Sequence, residues 1–274
     1  MLRDKSRRFV GVARAAARDP FEARERVLER IDEWKGHRRP PAQPPIVNAW
    51  EQQFHELLGA PWPCPAHAEF AALYDDVTTS LEEQGLRVGR GEYGGWDDGD
   101  GALARTAWCA TLHTRPERVI ETGVARGITS RVVLEALERN GCGHLWSIDI
   151  PPLIETDLQV ETAAAVTEPL RTRWRYLEGS SRRRLPKLLS ILGGVDLFVH
   201  DSMHTTRNVT FELAQVWPAL RVGGAVVVDD VERNSGFAVF GRGRRDWRAV
   251  AGMADDDRAL VGVAVKADQA PAAR

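Results

Sequence analysis

Val119-Ile120-Glu121-Thr122-Gly123-Val124-Ala125-Arg126-Gly127-Ile128-Thr129-Ser130 is the stretch that decides the fold. An apolar run meets an acid, and two glycines four positions apart then open an amphipathic helix read over Ser130–Arg139. Glycine at both places lets the chain turn tightly and lets a ligand approach the backbone. The helix that follows offers free N–H groups, with Thr129 or Ser130 near its start. The spacing is G-x-x-x-G after an acid, not the G-x-G-x-x-G that cradles a pyrophosphate. Glu121 at the strand end would repel a phosphate and attract the ammonium and sulfonium of an S-adenosylmethionine-type ligand.

Downstream, apolar strands and helices alternate. Strands are expected at Arg118–Glu121, Leu145–Ile150, Arg175–Leu177, Val195–His200, Ala225–Val228 and Ala259–Val265. Helices are expected at Leu185–Leu192 and through Phe211–Leu220. Such alternation implies right-handed crossovers and an α/β, doubly wound, mostly parallel sheet covered on both faces. Ligands then bind beyond the carboxyl ends of the strands. Asp149 ends the second strand, 22 residues after Gly127, where a carboxylate can accept both ribose hydroxyls of an adenosine. Glu178-Gly179-Ser180 ends the third strand as a small-residue turn suited to the adenine edge.

The upstream texture differs, with helices broken by loops. Phe21 to Trp34 carries an apolar face of Val27, Leu28, Ile31 and Trp34. A Pro-rich break precedes a short helix near Val47–Leu58, and a second break at Pro61–Pro65 precedes one near His67–Glu83. Gly89–Gly101 reads as a loop presenting Tyr93 and Trp96, to a ligand or to the core beneath. A helix near Ala102–Leu112 follows. The division is a helical N-terminal extension over residues 1–100 and a Rossmann-like domain over 101–274. The extension would serve as lid, acceptor platform or dimer contact in a homo-oligomer.

E-T-G-x-x-x-G-x-T-S from Glu121 and S-I-D-I from Ser147 resemble motif I and its successor in class I S-adenosylmethionine-dependent methyltransferases. D-L-F-V-H-D-S-M-H from Asp196 and G-G-A-V-V-V-D-D-V from Gly223 are similar to the branch of macrolide-sugar and related bacterial small-molecule O-methyltransferases. The resemblance implies a seven-stranded-type sheet and methyl transfer to a hydroxyl of a sugar, polyketide or other secondary metabolite. It implies cofactor contacts from Glu121, Gly123, Gly127 and Asp149, to which the turn geometry adds Ala125, Thr129, Ser130, Glu178, Gly179, Ser180 and Asp201. It also places Mg²⁺ or a similar divalent cation on Asp201, Asp229 and Asp230. Three carboxylates converging from neighbouring strand ends favour a positive occupant in any case.

Asp201 or His204 is the candidate general base, and His200 is expected to be structural. Phe237, Phe240 and Trp247 either line an acceptor pocket or pack. The arginine clusters 182–184 and 242, 244 and 245 could hold a phosphate or acidic group of the acceptor, and by default read as solvated faces. No Asn- or Asp-Pro-Pro-aromatic turn follows the fourth strand, which disfavours a nucleic-acid substrate. A nicotinamide oxidoreductase lacks its third glycine, and a non-catalytic S-adenosylmethionine-binding or interaction module is the remaining alternative.

Composition narrows the class further. The 274 residues carry a net charge of −2, so no global field draws nucleic acid or an anionic membrane. The basic residues at 3–18 are interleaved with acids and precede no apolar core of a signal peptide, so they read as a solvated helix face. No run approaches a membrane span. Cys64, Cys109 and Cys142 are widely spaced with no C-x-x-C pair, which fits a soluble cytoplasmic protein without a disulfide framework or structural zinc site.

Overall fold

The computed structural model describes residues 19–36, 41–94, 96–150, 156–254 and 259–268. The basic start and the tail after Asp268 lie outside the described residues. Helices α1 (Pro20–Gly36), α2 (Trp50–Leu58), α3 (His67–Glu83) and α4 (Gly101–Thr114) come first. Then follow β1 (Arg118–Thr122), α5 (Ile128–Asn140), β2 (His144–Asp149), α6 (Thr156–Glu161), a 3₁₀ turn at Glu168–Arg173 and β3 (Trp174–Glu178). The chain continues through α7 (Ser181–Leu192), β4 (Val195–His200), α8 (Thr206–Ala219), β5 (Leu220–Val228), α9 (Gly236–Gly241), β6 (Trp247–Met253) and β7 (Leu260–Lys266).

The strands form one sheet in the order β3-β2-β1-β4-β5-β7-β6, parallel from β3 to β5 and antiparallel at β7 and β6. This is the doubly wound sheet expected. Order reverses between β1 and β4, so a crevice opens beyond Thr122 and His200, which are register partners. Val195–His200 is almost continuously buried, as a central parallel strand covered on both faces must be.

Two cores sandwich the sheet. One joins Val119, Leu145 and Val199 to α4 and α5, and takes in Trp50, Phe54 and Phe70 from α2 and α3. The other joins Ile120, Phe198 and Val228 to Leu213 and Trp217 of α8. Helices α2 and α3 therefore share a core with the sheet.

Two expectations change and one open alternative is decided. The segment from Trp247 is an antiparallel edge strand, β6, which the Ala- and Gly-containing Ala249-Val250-Ala251-Gly252 disguised. Phe237 and Phe240 are buried, and both stack edge-on to Trp247, so this trio packs. Helix α1 docks by the face opposite to the one expected. Val27, Ile31 and Trp34 are exposed, while Glu22, Glu25 and Glu29 are buried. Periodicity identifies an apolar face but not which face finds a partner. Here Arg182 reaches Glu25 at 3.0 Å and Glu29 at 3.4 Å, and Arg207 pairs with both acids. Arg182 is thus part of a helix–helix contact, whereas Arg184 and Arg242, Arg244 and Arg245 are exposed.

Candidate functional site

The glycine turn is built as its spacing requires. Gly123 has φ 87°, and a Cβ there would lie 1.8 Å from the Asp201 carbonyl oxygen, so the ends of β1 and β4 can meet only over a hydrogen atom. Gly127 has φ 81° and leaves α5 without a side-chain cap. Its first N–H groups therefore face outward with no cap of their own. Ala125 also adopts positive φ, at 47°, and its N–H donates to Asp149 Oδ2 at 3.3 Å. Ile150 N–H donates to Asp149 Oδ1 at 2.8 Å. Burial pushes the Asp149 carboxyl up to about 6 despite these donors. The structure thus joins Gly123, Ala125, Gly127 and Asp149 in one turn. Thr129 lies beside it, half-buried.

Glu121 and Ser130 do not face this cleft. Glu121 points into the sheet core, fully buried, and accepts hydrogen bonds from Ser130 Oγ and Ser147 Oγ, both at 2.6 Å. Its Oε1 has no partner, and burial pushes the carboxyl up to about 8. The contact expected from Glu121 to an ammonium is not open to the crevice in this structure, where the side chain lies on the α5 face of the sheet. At the third strand, Glu178 is exposed and registers with Asp149, and Gly179 N–H donates to the Asp149 carbonyl at 2.8 Å. Ser180 is already engaged, its hydroxyl donating to Glu22 of α1 at 2.7 Å. A cleft of about 420 Å³ begins at Ile150 and Glu178 and runs over Trp174 and Tyr176 to Arg171. It borders the Asp149 turn, and its volume lies in the range of small-molecule sites.

At the switch point, Asp201, His204, Asp229 and Asp230 converge. His204 Nδ1 lies 2.9 Å from Asp230 Oδ2, and its Nε2 lies 3.7 Å from Asp201 Oδ1. Ligand atoms of Asp201, His204 and Asp229 all lie within 4.8 Å of one another. Of the expected set of Asp201, Asp229 and Asp230, the first two face one another with His204. Asp230, at φ 51°, is turned onto His204 and onto Arg233 at 3.0 Å.

Burial and the neighbouring Asp201, Asp230 and Asp100 push the Asp229 carboxyl well up. Burial would also raise Asp230, but His204 and Arg233 hold it below the usual carboxylate range. Burial opposes a charge on His204, yet the facing carboxylates of Asp201 and Asp230 drive its pKa well above the usual value. Asp229 Oδ1 is buried without a partner, so the cluster has an acceptor left for one more positive or proton-donating group. The residues fit a divalent cation. Asp201 is the most open of the acids, its side chain 34% exposed against 8% for Asp230, with Asp229 buried.

Three residues of this region were not singled out from the sequence. Asp100 caps α4 by accepting from Ala102 N–H at 2.7 Å, and burial pushes it up to about 6 beside Asp201. Glu212 of α8 is fully buried under the turn. His200 Nδ1 lies 2.7 Å from it, Thr122 Oγ1 donates at 2.6 Å and Ser202 Oγ at 2.9 Å. His200 is accordingly structural, as expected. Arg126, 3% exposed, donates to Asp98 at 2.8 Å, to Glu161, and to the carbonyls of residues 87 and 92. It ties the 87–98 loop over the glycine turn. Tyr93 of that loop is buried with Arg126 5.5 Å over its ring, while Trp96 is exposed. A cation just inside a glycine turn hints at such a tie, but its partners lie 28 to 39 positions away.

Residues 120–231 match a family model described as a methyltransferase domain. A Klebsiella pneumoniae protein assigned as an O-methyltransferase superposes with a TM-score of 0.54 at 16% identity, covering 80% of this chain and 98% of its own. The O-methyltransferase TomG from Streptomyces achromogenes, involved in tomaymycin synthesis and solved with S-adenosylmethionine, gives 0.52 at 16% identity, covering 72% and 90%. An O-methyltransferase from Bacillus cereus, solved with S-adenosylhomocysteine, gives 0.52 at 11% identity, covering 81% and 100%. No curated protein matches the chain at a significant level. Among the described residues no helix is long and apolar enough to cross a membrane.

Proposed function

We propose that this chain, a methyltransferase by domain and class I by fold, moves the methyl group of S-adenosylmethionine to a hydroxyl of a small molecule. The observation that carries the reading is the joined turn. Gly123, Ala125 and Gly127 present backbone at the switch point, and the Asp149 carboxylate is held beside them by two N–H donors. Asp149 is placed for the ribose hydroxyls, and the α5 N-terminus and the open crevice receive the amino-acid half.

The acceptor hydroxyl belongs beside Asp201, the accessible carboxylate of the cluster. Asp201 accepts the hydroxyl proton as the oxygen attacks the methyl carbon and the sulfur–methyl bond breaks, its electron pair staying on sulfur to leave S-adenosylhomocysteine; His204 flanks that carboxylate at 3.7 Å. A divalent cation, where bound, would sit on Asp201, His204 and Asp229 and lower the pKa of the acceptor hydroxyl. The loop pinned by Arg126 excludes water above the turn. Most of the rate would come from positioning and from the field of the site.

Calorimetry with S-adenosylmethionine on wild type and Asp149→Ala tests the cofactor assignment. A loss of about tenfold or more is expected. Unchanged affinity would refute the ribose role. A methyl-transfer screen over small-molecule alcohols with Mg²⁺ or EDTA tests the rest, and turnover undiminished in EDTA would remove the cation from the reading.

A further inference from the structure

The helical part of the chain contains a second group of chemistry-bearing side chains that the methyl-transfer site does not use. His55 on α2, Cys64 in the turn that follows, and His113 on α4 offer ligand atoms within 4.8 Å of one another. Cys64 Sγ lies 3.5 Å from His113 Nε2 and 3.3 Å from Cys109 Sγ. Cys109 and His113 are one helical turn apart on α4, so both project from one face.

Donors of a tetrahedral ion with bonds of about 2.0–2.3 Å stand roughly 3.3–3.8 Å apart. The Cys64–His113 spacing falls in that range, and His55 lies within 4.8 Å of both. Cys64 and Cys109 stand closer than two thiolates on one such ion, so Cys109 would have to swing away from Cys64 by about half an ångström to join as fourth donor. His55 adds an independent sign. It is 2% exposed, its Nδ1 lies 2.7 Å from the Glu51 carbonyl, and its Nε2 has no partner. An Nδ1–H donated to a carbonyl fixes the tautomer that leaves Nε2 free to ligate. The void among His55, Cys64 and Cys109 is about 10 Å³, room for a single atom and not for an organic ligand. Arg105 at its rim is neutralised by Glu51 at 2.7 Å, so its charge does not bar a cation.

We propose that His55, Cys64, Cys109 and His113 form a closed Cys₂His₂ site for a structural zinc ion. The ion would fasten α2 and its following turn to α4, the helix that packs on the sheet. Binding replaces one proton on each thiol, released to solvent, by a sulfur–metal bond, with no redox change. The wide spacing of the cysteines concealed the set, because two of its four members come from each of two segments about 50 residues apart.

The test uses the full chain, purified reduced and without chelator, with zinc measured per chain and Co²⁺ then exchanged in. One equivalent of zinc is expected, together with a thiolate-to-cobalt charge-transfer band and intense tetrahedral d–d bands. The double variant Asp201→Asn/Asp229→Asn, which disables the other cation cluster, should keep both. Cys64→Ser and His113→Ala should each lower zinc content at least tenfold. The cobalt spectrum of wild type needs no variant to fold. A reduced wild type without the charge-transfer band, zinc retained at wild-type level in Cys64→Ser, or Cys64 and Cys109 recovered as a metal-free disulfide would each overturn the proposal.

Discussion

Adjacent residues of β1 lead to two buried carboxylates with opposite fates. Glu121 points toward α5 and meets two serine hydroxyls. Thr122 points to the other face and donates to Glu212, which also has His200 at 2.7 Å. Both acids are fully buried. Burial alone would push both up, and it does so for Glu121, to about 8, with Asp201 and Asp149 acting in the same direction. For Glu212 the His200 ring and its hydrogen bonds outweigh burial and hold the carboxyl at about 2. Two glutamates under one glycine turn therefore differ by a proton at neutral pH. Depth does not decide the difference. A neighbouring imidazole does.

Removing the imidazole's partner should give the largest effect. Glu212→Gln leaves His200, Thr122, Ser202 and Asn208 around a neutral amide with two donors, where an acceptor was required. Breaking a buried pair of this kind costs about 3–5 kcal/mol. Urea unfolding should show that loss. The pH dependence follows from the sign of the shift. Glu212 is depressed on folding, so its stabilisation is present above about 4.5 and disappears as pH falls toward about 2. The variant should lack this acid limb. A variant within about 1 kcal/mol of wild type would break the contrast with Glu121.

Arg126 sharpens the comparison from the cation's side. Burial raises Asp98 and Arg126 opposes that rise, so Arg126→Met should leave Asp98 in the position of Glu121, buried without a cation. The expected cost is about 2–3 kcal/mol. Because Arg126 also holds the carbonyls of residues 87 and 92, the loop should open locally before the sheet does. Limited proteolysis should then cut within 87–98 at least tenfold faster in the variant. Equal cutting rates would show that Tyr93 and its neighbours hold the loop without the guanidinium.

These networks mark the limit of what sequence reveals. The Gly123–Gly127 turn, Asp149 and the strand ends at Asp201 and Asp229 are legible, because each follows from local spacing and from the rule that parallel strands present their carboxyl ends together. Glu212 is not legible: it sits in the middle of an amphipathic helix and reads as solvent-facing until α8 is laid on the sheet. The acidic face of α1 is hidden for a related reason, since its counter-charges Arg182 and Arg207 lie more than 150 residues away. The pairing of Asp230 with His204 and Arg233 accompanies a positive φ at Asp230, which no pattern of residue types announces.

The smallest effect is expected at Glu121, and its sign is opposite to that at Glu212. A carboxyl raised to about 8 on folding, against about 4.5 when unfolded, is neutral in the native protein at pH 7. The folded state then binds more protons than the unfolded state between those values, so stability falls as pH rises through that window. Glu121→Gln keeps the size and an acceptor for Ser130 and Ser147, and it removes the ionisation. At pH 5 the variant should lie within about 1 kcal/mol of wild type. Near pH 8.5 it should be the more stable of the two, because only wild type must either ionise in the core or unfold. Parallel denaturation curves at the two pH values measure this crossing. A wild type as stable at pH 8.5 as at pH 5 would mean that the Glu121 carboxylate is already charged, and that some cation beneath the turn does for it what His200 does for Glu212.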